Sequence, residues 1–177
     1  MKRVKSTQYD EIILRDESTS PADRVSAATV LASDGFGQEI FPVLEKWLNH
    51  SHFLLRAEAI WMILSGFGHQ KYVEKAIQML HNDDNWSVRK YASLALSDFS
   101  KEYVEGKKYE EQIIKELLIS LLNDEDGFVQ RDSYKGLYKL IKGKRERSDE
   151  NEFDRNRDVD WDLLLPYLDK YGLQKPV

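Results

Sequence analysis

The stretch Leu55-Arg56-Ala57-Glu58-Ala59-Ile60-Trp61-Met62-Ile63 decides the fold, because it returns 33 residues later as Val88-Arg89-Lys90-Tyr91-Ala92-Ser93-Leu94-Ala95-Leu96. Both copies open on an apolar–arginine pair, carry alanine three residues after the arginine, and continue apolar. A looser copy begins earlier at Asp23-Arg24, with Ala27, Thr29 and Leu31. Another begins later at Val129-Gln130, with Ser133, Lys135 and Leu137. The arginine register therefore recurs at 24, 56 and 89, and Gln130 takes its place in the last copy. A small residue at the same place each time (Ala27, Ala59, Ala92, Ser133) marks an internal repeat of stacked units.

Working outward, each copy reads as helix A, turn, helix B, turn. The A helices carry the small residues, which let neighbouring helices approach closely. The B helices carry stripes at i, i+3, i+4, i+7 spacing. These are Ile40, Phe41, Leu44, Trp47 and Leu48, then Val73, Ala76, Ile77 and Leu80. Ile113, Ile114, Leu117, Leu118, Leu121 and Leu122 follow, and Leu164, Leu165, Leu168 and Tyr171 close the series. Trp47 and Trp61 fall in the stripes and are expected in the core; for Trp86 and Trp161 core or end-cap packing is expected ahead of a role as exposed interface anchors. No alternating strand pattern appears. Ser20-Pro21-Ala22-Asp23 predicts a capped helix start, and Asp84 or Asn85, and Asp126, predict two more. Pro42 and Pro166 are expected near B-helix starts, where a missing N–H costs little, and glycines 35, 37, 66 and 68 mark A-to-B turns.

Two segments break the period. Residues 97–108 are expected to lengthen the third A-to-B connection. Residues 142–158 are expected to form a mobile charged loop whose only large apolar residue is Phe153. Residues 1–19 hold an N-terminal cap, with Tyr9, Ile12 and Ile13 at helical spacing, and residues 20–172 hold the repeats. The whole of 1–177 reads as one domain.

Aspartate, apolar residue, arginine, then alanine and leucine on helix A, followed by a proline-bearing helix B ending in leucine and Asp/Asn, resembles HEAT-type repeats of the bacterial short-repeat branch. The resemblance implies an all-α, right-handed α-solenoid of about four helical pairs with an N-terminal cap helix. It also implies an aspartate–arginine ladder, matched by Asp84 with Arg89. Ser51 stands in the acid's place in unit two, Asp23 replaces an apolar residue in unit one, and Gln130 replaces arginine in unit four. HEAT repeats are chiefly a binding architecture. Two alternatives come with the resemblance: a bilin lyase-like cofactor-handling protein, and a nucleic-acid-binding HEAT-like protein.

Composition narrows the chemistry. With no cysteine among 177 residues, disulfides, thiolate zinc sites and a cysteine nucleophile are excluded. His50, His52 and His81 share the B-to-A turn edge with Asp83, Asp84, Asp124, Glu125 and Asp126, but at no tight metal-ligand spacing, so they read as solvated turns and caps. No Gly-x-Ser-x-Gly elbow or phosphate loop occurs; catalytic residues, cofactors and metals are all expected to be absent. Lys139, Lys142, Lys144, Arg145 and Arg147 form a basic run, which the acids following at 149–154 neutralise. A net charge of −5 disfavours nucleic acid. The basic residues at 2–5 are followed by no apolar h-region, so a cytoplasmic protein without membrane contact is expected.

What remains is a non-catalytic protein-binding scaffold or inhibitor, plausibly an immunity-type protein directed at a basic toxin domain. The expected partner-binding residues are outward positions of the middle B helices: Lys71, Glu74, Lys75, Gln78, Glu110, Glu111, Lys115 and Glu116. The expected partner is a protein with a basic surface.

Overall fold

Each repeat opens on a side chain that satisfies amides left free at a helix start. Ser20 accepts the Asp23 amide at 3.2 Å and donates to the Asp23 carboxylate at 2.7 Å, with Pro21 as the first helical residue. His52, Asn85 and Asp126 hold the same place before the next three A helices. They accept the amides of Leu54, Ser87 and Phe128 at 3.3, 2.9 and 2.8 Å. The computed structural model, which describes residues 2–144 and 153–176, is all-α and built from the helices so started.

In chain order these are α1 Lys2–Arg15, α2 Pro21–Ser33, α3 Gly37–Trp47, α4 Phe53–Trp61, α5 Val73–Asn82, α6 Trp86–Glu102, α7 Glu110–Asn123, α8 Gly127–Lys142, α9 Arg155–Asp158 and α10 Trp161–Tyr171. Helices α2, α4, α6 and α8 pack side by side as an A layer. Helices α3, α5, α7 and α10 form the B layer, and α1 covers α2. The small residues of the repeat make the A layer possible. Ala27, Ala59, Ala92 and Ser133 are all buried. At Gly136 the helices α6 and α8 come so close that a Cβ would stand 3.0 Å from the Cβ of Ser97. Leu31, Leu44, Leu80, Leu96, Leu117 and Leu164 are fully buried between the layers, each worth about 1.5–3 kcal/mol. The N-terminal cap is held by fully buried Leu14, whose carbonyl accepts from Arg24 Nε at 3.2 Å.

Several sequence expectations need correction. Pro42 and Pro166 do not sit at helix starts: each is the sixth residue of its helix, α3 and α10. Both are exposed, and at this depth each removes the N–H that would bond the carbonyl four residues earlier, on Gln38 and Asp162. Residues 97–108 do not simply lengthen a loop. Ser97 to Glu102 continue α6, because Ser97, Phe99 and Ser100 are buried against the neighbouring helices. The chain then doubles back so tightly that a Cβ on Gly106 would lie 2.1 Å from the Phe99 carbonyl oxygen.

Trp61 is not in the core. It is 37 % exposed on the outer side of α4, where no helix covers it, whereas Trp47 is buried. Trp86 is likewise exposed, and Trp161 is buried. Within the expected loop 142–158, residues 145–152 lie outside the described residues. Residues 155–158 form the one-turn helix α9, capped by Asp154. Arg155 donates to the Leu121 and Leu122 carbonyls at the end of α7, which ties this segment to the third repeat.

Candidate interaction surface

Two lines of polar contacts run across the repeats and fix how the B helices stand. The first is the arginine ladder on the B-to-A turns. Arg56 grips Asp83 with two hydrogen bonds, Nε to Oδ2 at 2.8 Å and Nη2 to Oδ1 at 2.7 Å, and reaches Asp84 at 2.7 Å. Arg89 grips Asp124 the same way at 2.8 and 3.0 Å. Each of these residues also donates back to the carbonyl six positions earlier: Arg56 to His50, Arg89 to Asp83 and Gln130 to Asp124. The residues at that position use their side chains as local caps as well. His50 Nδ1, Asp83 Oδ1 and Asp124 Oδ1 accept the amides of His52, Asn85 and Asp126 at 2.9, 3.0 and 2.9 Å.

The ladder acid is therefore the residue six before the arginine, not five. The expected pair Asp84–Arg89 is replaced by Asp83–Arg56 and Asp124–Arg89, and His50, not Ser51, stands in the acid's place in unit two. Gln130 keeps the bond to its own turn but carries no charge. At the other end, Arg24 faces a histidine position; it bonds to Leu14 and lies 5.4 Å from the Trp47 ring centre. Burial pushes the Asp83 carboxyl up, but the hydrogen bonds from Arg56 and the Asn85 amide outweigh it and hold it below its ordinary value. His50 is held below the ordinary imidazole range by burial first, then by Arg24, His52 and Arg56.

The second line lies at the far end of the A helices. Ser65 donates to Asp98 at 3.0 Å, and Lys139 donates to the same carboxylate at 2.8 Å and to Glu102 at 3.0 Å. Positions 65, 98 and 139 lie nine residues beyond 56, 89 and 130. Lys139 thus belongs to a structural line and not to the basic run. Tyr103 completes this end by donating to the Ser65 and Gly66 carbonyls at 3.0 and 2.9 Å, closing the π-helical turn Met62–Gly66 that prolongs α4.

With the A layer so held, the outward residues of the B layer share one face. Lys71 pairs with Glu45 at 3.3 Å, and Tyr72 donates to the same carboxylate. Lys75 donates to Asn49 at 3.1 Å and to Gln78 at 3.4 Å. Gln112 donates to Glu74 at 2.9 Å, and His81 meets Glu116 at 2.8 Å. Lys107 pairs with Glu110 at 2.7 Å, and Lys170 pairs with Glu111 at 2.9 Å. Lys115 is exposed on α7. Lys71 lies in the 3-10 turn Gln70–Tyr72 just before α5 and the other seven lie on α5 and α7; of these Glu74, Glu111 and Glu116 are joined to a neighbouring B helix. On α3, α5, α7 and α10 carboxylates outnumber lysines.

A family model described as HEAT repeats matches residues 11–97 and, overlapping them, 42–133, which is more than half of the chain. The chain belongs to the HEAT-repeat family. No curated protein matches it. HEAT repeats commonly serve as protein-interaction scaffolds and are generally non-enzymatic. Among the described residues no helix is long and apolar enough to cross a membrane. Nor do the described residues include a group of three or more His, Asp and Glu side chains that could hold a metal ion. A polar groove of about 260 Å³ does open between the second and third HEAT turns, beside Asp83, Arg89, Asp124 and Glu125. Its walls are the ladder itself. Sequence reading missed the line Ser65–Asp98–Lys139, although extending the repeat register by nine residues would have found it.

Proposed function

We infer that this HEAT protein is a non-catalytic binding scaffold of the immunity type, acting in the cytoplasm, whose B layer receives a basic domain of a toxin. One observation carries the reading: the carboxylates of Glu45 on α3, Glu74 on α5, and Glu111 and Glu116 on α7 are each held by a partner from a neighbouring unit. Side chains already held in place lose little rotamer freedom on binding. An acidic bias on such a face accelerates encounter with a basic partner and rejects acidic ones. Stacked pairs that curve would make the B helices the concave wall, the side best shaped to surround a globular domain.

The test is titration calorimetry with the products of the neighbouring genes, starting with any basic nuclease domain among them. Binding is expected, weakening with salt, and the double variant Glu74→Lys/Glu111→Lys should lower affinity at least about tenfold, equivalent to about 1.4 kcal/mol. No heat of binding, or an affinity that ignores both salt and the charge reversal, would count against the reading.

A further inference from the structure

The outer side of the A layer has the opposite chemistry to the B layer, and the B-face reading does not use it. On α6 and α8 lysines and arginines outnumber carboxylates. Trp86 and Phe128 open these two helices, and their rings stack at 5.3 Å although they are 41 % and 49 % exposed. Lys90 Nζ lies 6.0 Å from the Trp86 ring centre and 5.7 Å from that of Tyr91. The Arg131 guanidinium lies 5.2 Å from the Phe128 ring centre. One buried carboxylate, Asp132, serves both cations, at 3.1 Å from Arg131 and 3.9 Å from Lys90. Lys135, one turn beyond Arg131, adds a further positive charge.

Two large rings left half in water, bordered by cations in excess of their carboxylates, are the elements of an interface anchor. We propose that the outer face of α6 and α8 is a second docking surface, for an acidic, amphipathic protein segment that lays an apolar side chain on the Trp86–Phe128 pair and carboxylates on Lys90 and Lys135. Charge complementarity selects the acidic segment, and charge placement selects a peptide over a nucleic acid. The turns just before Trp86 and Phe128 carry Asp84 and Glu125, whose side chains are 88 % and 90 % exposed, together with Asp126. A continuous phosphate backbone crossing the aromatic pair would have to pass these carboxylates, whereas a peptide places an uncharged anchor there and its charges further along.

The probe is a random peptide library displayed on phage, selected on the immobilised full chain. Enriched sequences are expected to join carboxylates to an aromatic or aliphatic residue. The best peptide, followed by fluorescence anisotropy, should bind at least about tenfold more weakly to Lys90→Glu/Lys135→Glu and to Trp86→Ala. It should bind unchanged to Glu74→Lys/Glu111→Lys, which separates this surface from the B face. Thermal melts establish that each variant is folded; because Lys90 is half-buried beside Asp132, the neutral pair Lys90→Gln/Lys135→Gln is measured with the reversal and should weaken the peptide in the same direction. No enrichment, enrichment of basic peptides, or loss confined to the B-face variant would each overturn the proposal. So would a labelled oligothymidylate that binds the chain and is released by the Lys90/Lys135 reversal, which would make the surface one for nucleic acid.

Discussion

The A helices bury alanine, serine and glycine against one another and the central two begin with enclosed arginine–aspartate pairs, whereas the B helices bury leucine and isoleucine and turn lysines and carboxylates outward. The arginine side chains of the two central rungs are 14 % and 10 % exposed, while the Lys71–Glu45 pair on the B face is 64 % and 42 % exposed. Similar ion pairs thus do different work. In the A-layer turns the guanidinium is enclosed, has two carboxylate oxygens in a planar grip, and joins units 27 or 35 residues apart. On the B face water screens the pair, which therefore adds little to stability and remains available to a partner.

The largest expected effect breaks the buried side of this comparison. Asp124→Ala removes both carboxylate oxygens that Arg89 grips and the acceptor of the Asp126 amide, leaving the guanidinium its bond to the Asp83 carbonyl. Breaking a buried ion pair from one side costs about 3–5 kcal/mol. At about 2–4 °C per kcal/mol for a chain of this size, melting should fall by roughly 10 °C. Glu74→Ala on the B face, measured the same way, should leave melting nearly unchanged. Equal losses in the two variants would abolish the distinction.

A gain of intermediate size should come from the missing rung. His50→Asp places a carboxylate where Asp83 and Asp124 stand in the next units, within reach of the His52 amide and facing Arg24. It should stabilise the protein by about 1 kcal/mol, the net value of a typical intramolecular hydrogen bond, because solvent at this partly exposed turn screens the added charge. A loss of stability on chemical denaturation would show that the N-terminal unit is not built on the same rung geometry.

The smallest effect is a pH dependence of the same residue. His50 has a folded-state pKa below its ordinary value near 6.5, so the unfolded chain takes up its proton first as pH falls. The contribution of neutral His50 is complete above about pH 6.5 and is lost as pH falls from there through the lower folded-state value. His50→Asn, which keeps an acceptor for the His52 amide, should flatten the stability profile between about pH 7 and 5. A profile as steep as the parent's would assign that dependence to another group.

Helix order, the stripes apart from the exposed Leu165, and the caps Ser20, Asn85 and Asp126 were legible because each depends on neighbours within a turn or two along the chain. Trp61 was misplaced for the same reason. Its spacing fits a stripe, but whether that side of α4 is covered depends on helices far away in sequence. The ladder was legible in its arginines and not in its partners. Asp84 is five residues from Arg89, yet the guanidinium closes on Asp124 in the next unit, and only the recurrence of Asp83 and Asp124 six residues before Arg89 and Gln130 points to it. Residues 97–102 looked like inserted loop because the repeat period was the only guide. Burial of Phe99 and the close approach at Gly106 continue the helix instead.

The comparison between the layers also carries the central functional claim, that a basic protein partner is received on the B face. Lysines on both layers report on it directly: Lys71, Lys75, Lys115 and Lys170 on the B layer, Lys90, Lys135 and Lys142 on the A layer. Acetylation footprinting with mass spectrometry, with and without a basic domain that binds in calorimetry, should show the B-layer lysines protected in the complex and the A-layer lysines modified as fast as in the free protein. Protection of Lys90, Lys135 and Lys142 with the B-layer lysines unchanged would contradict the account.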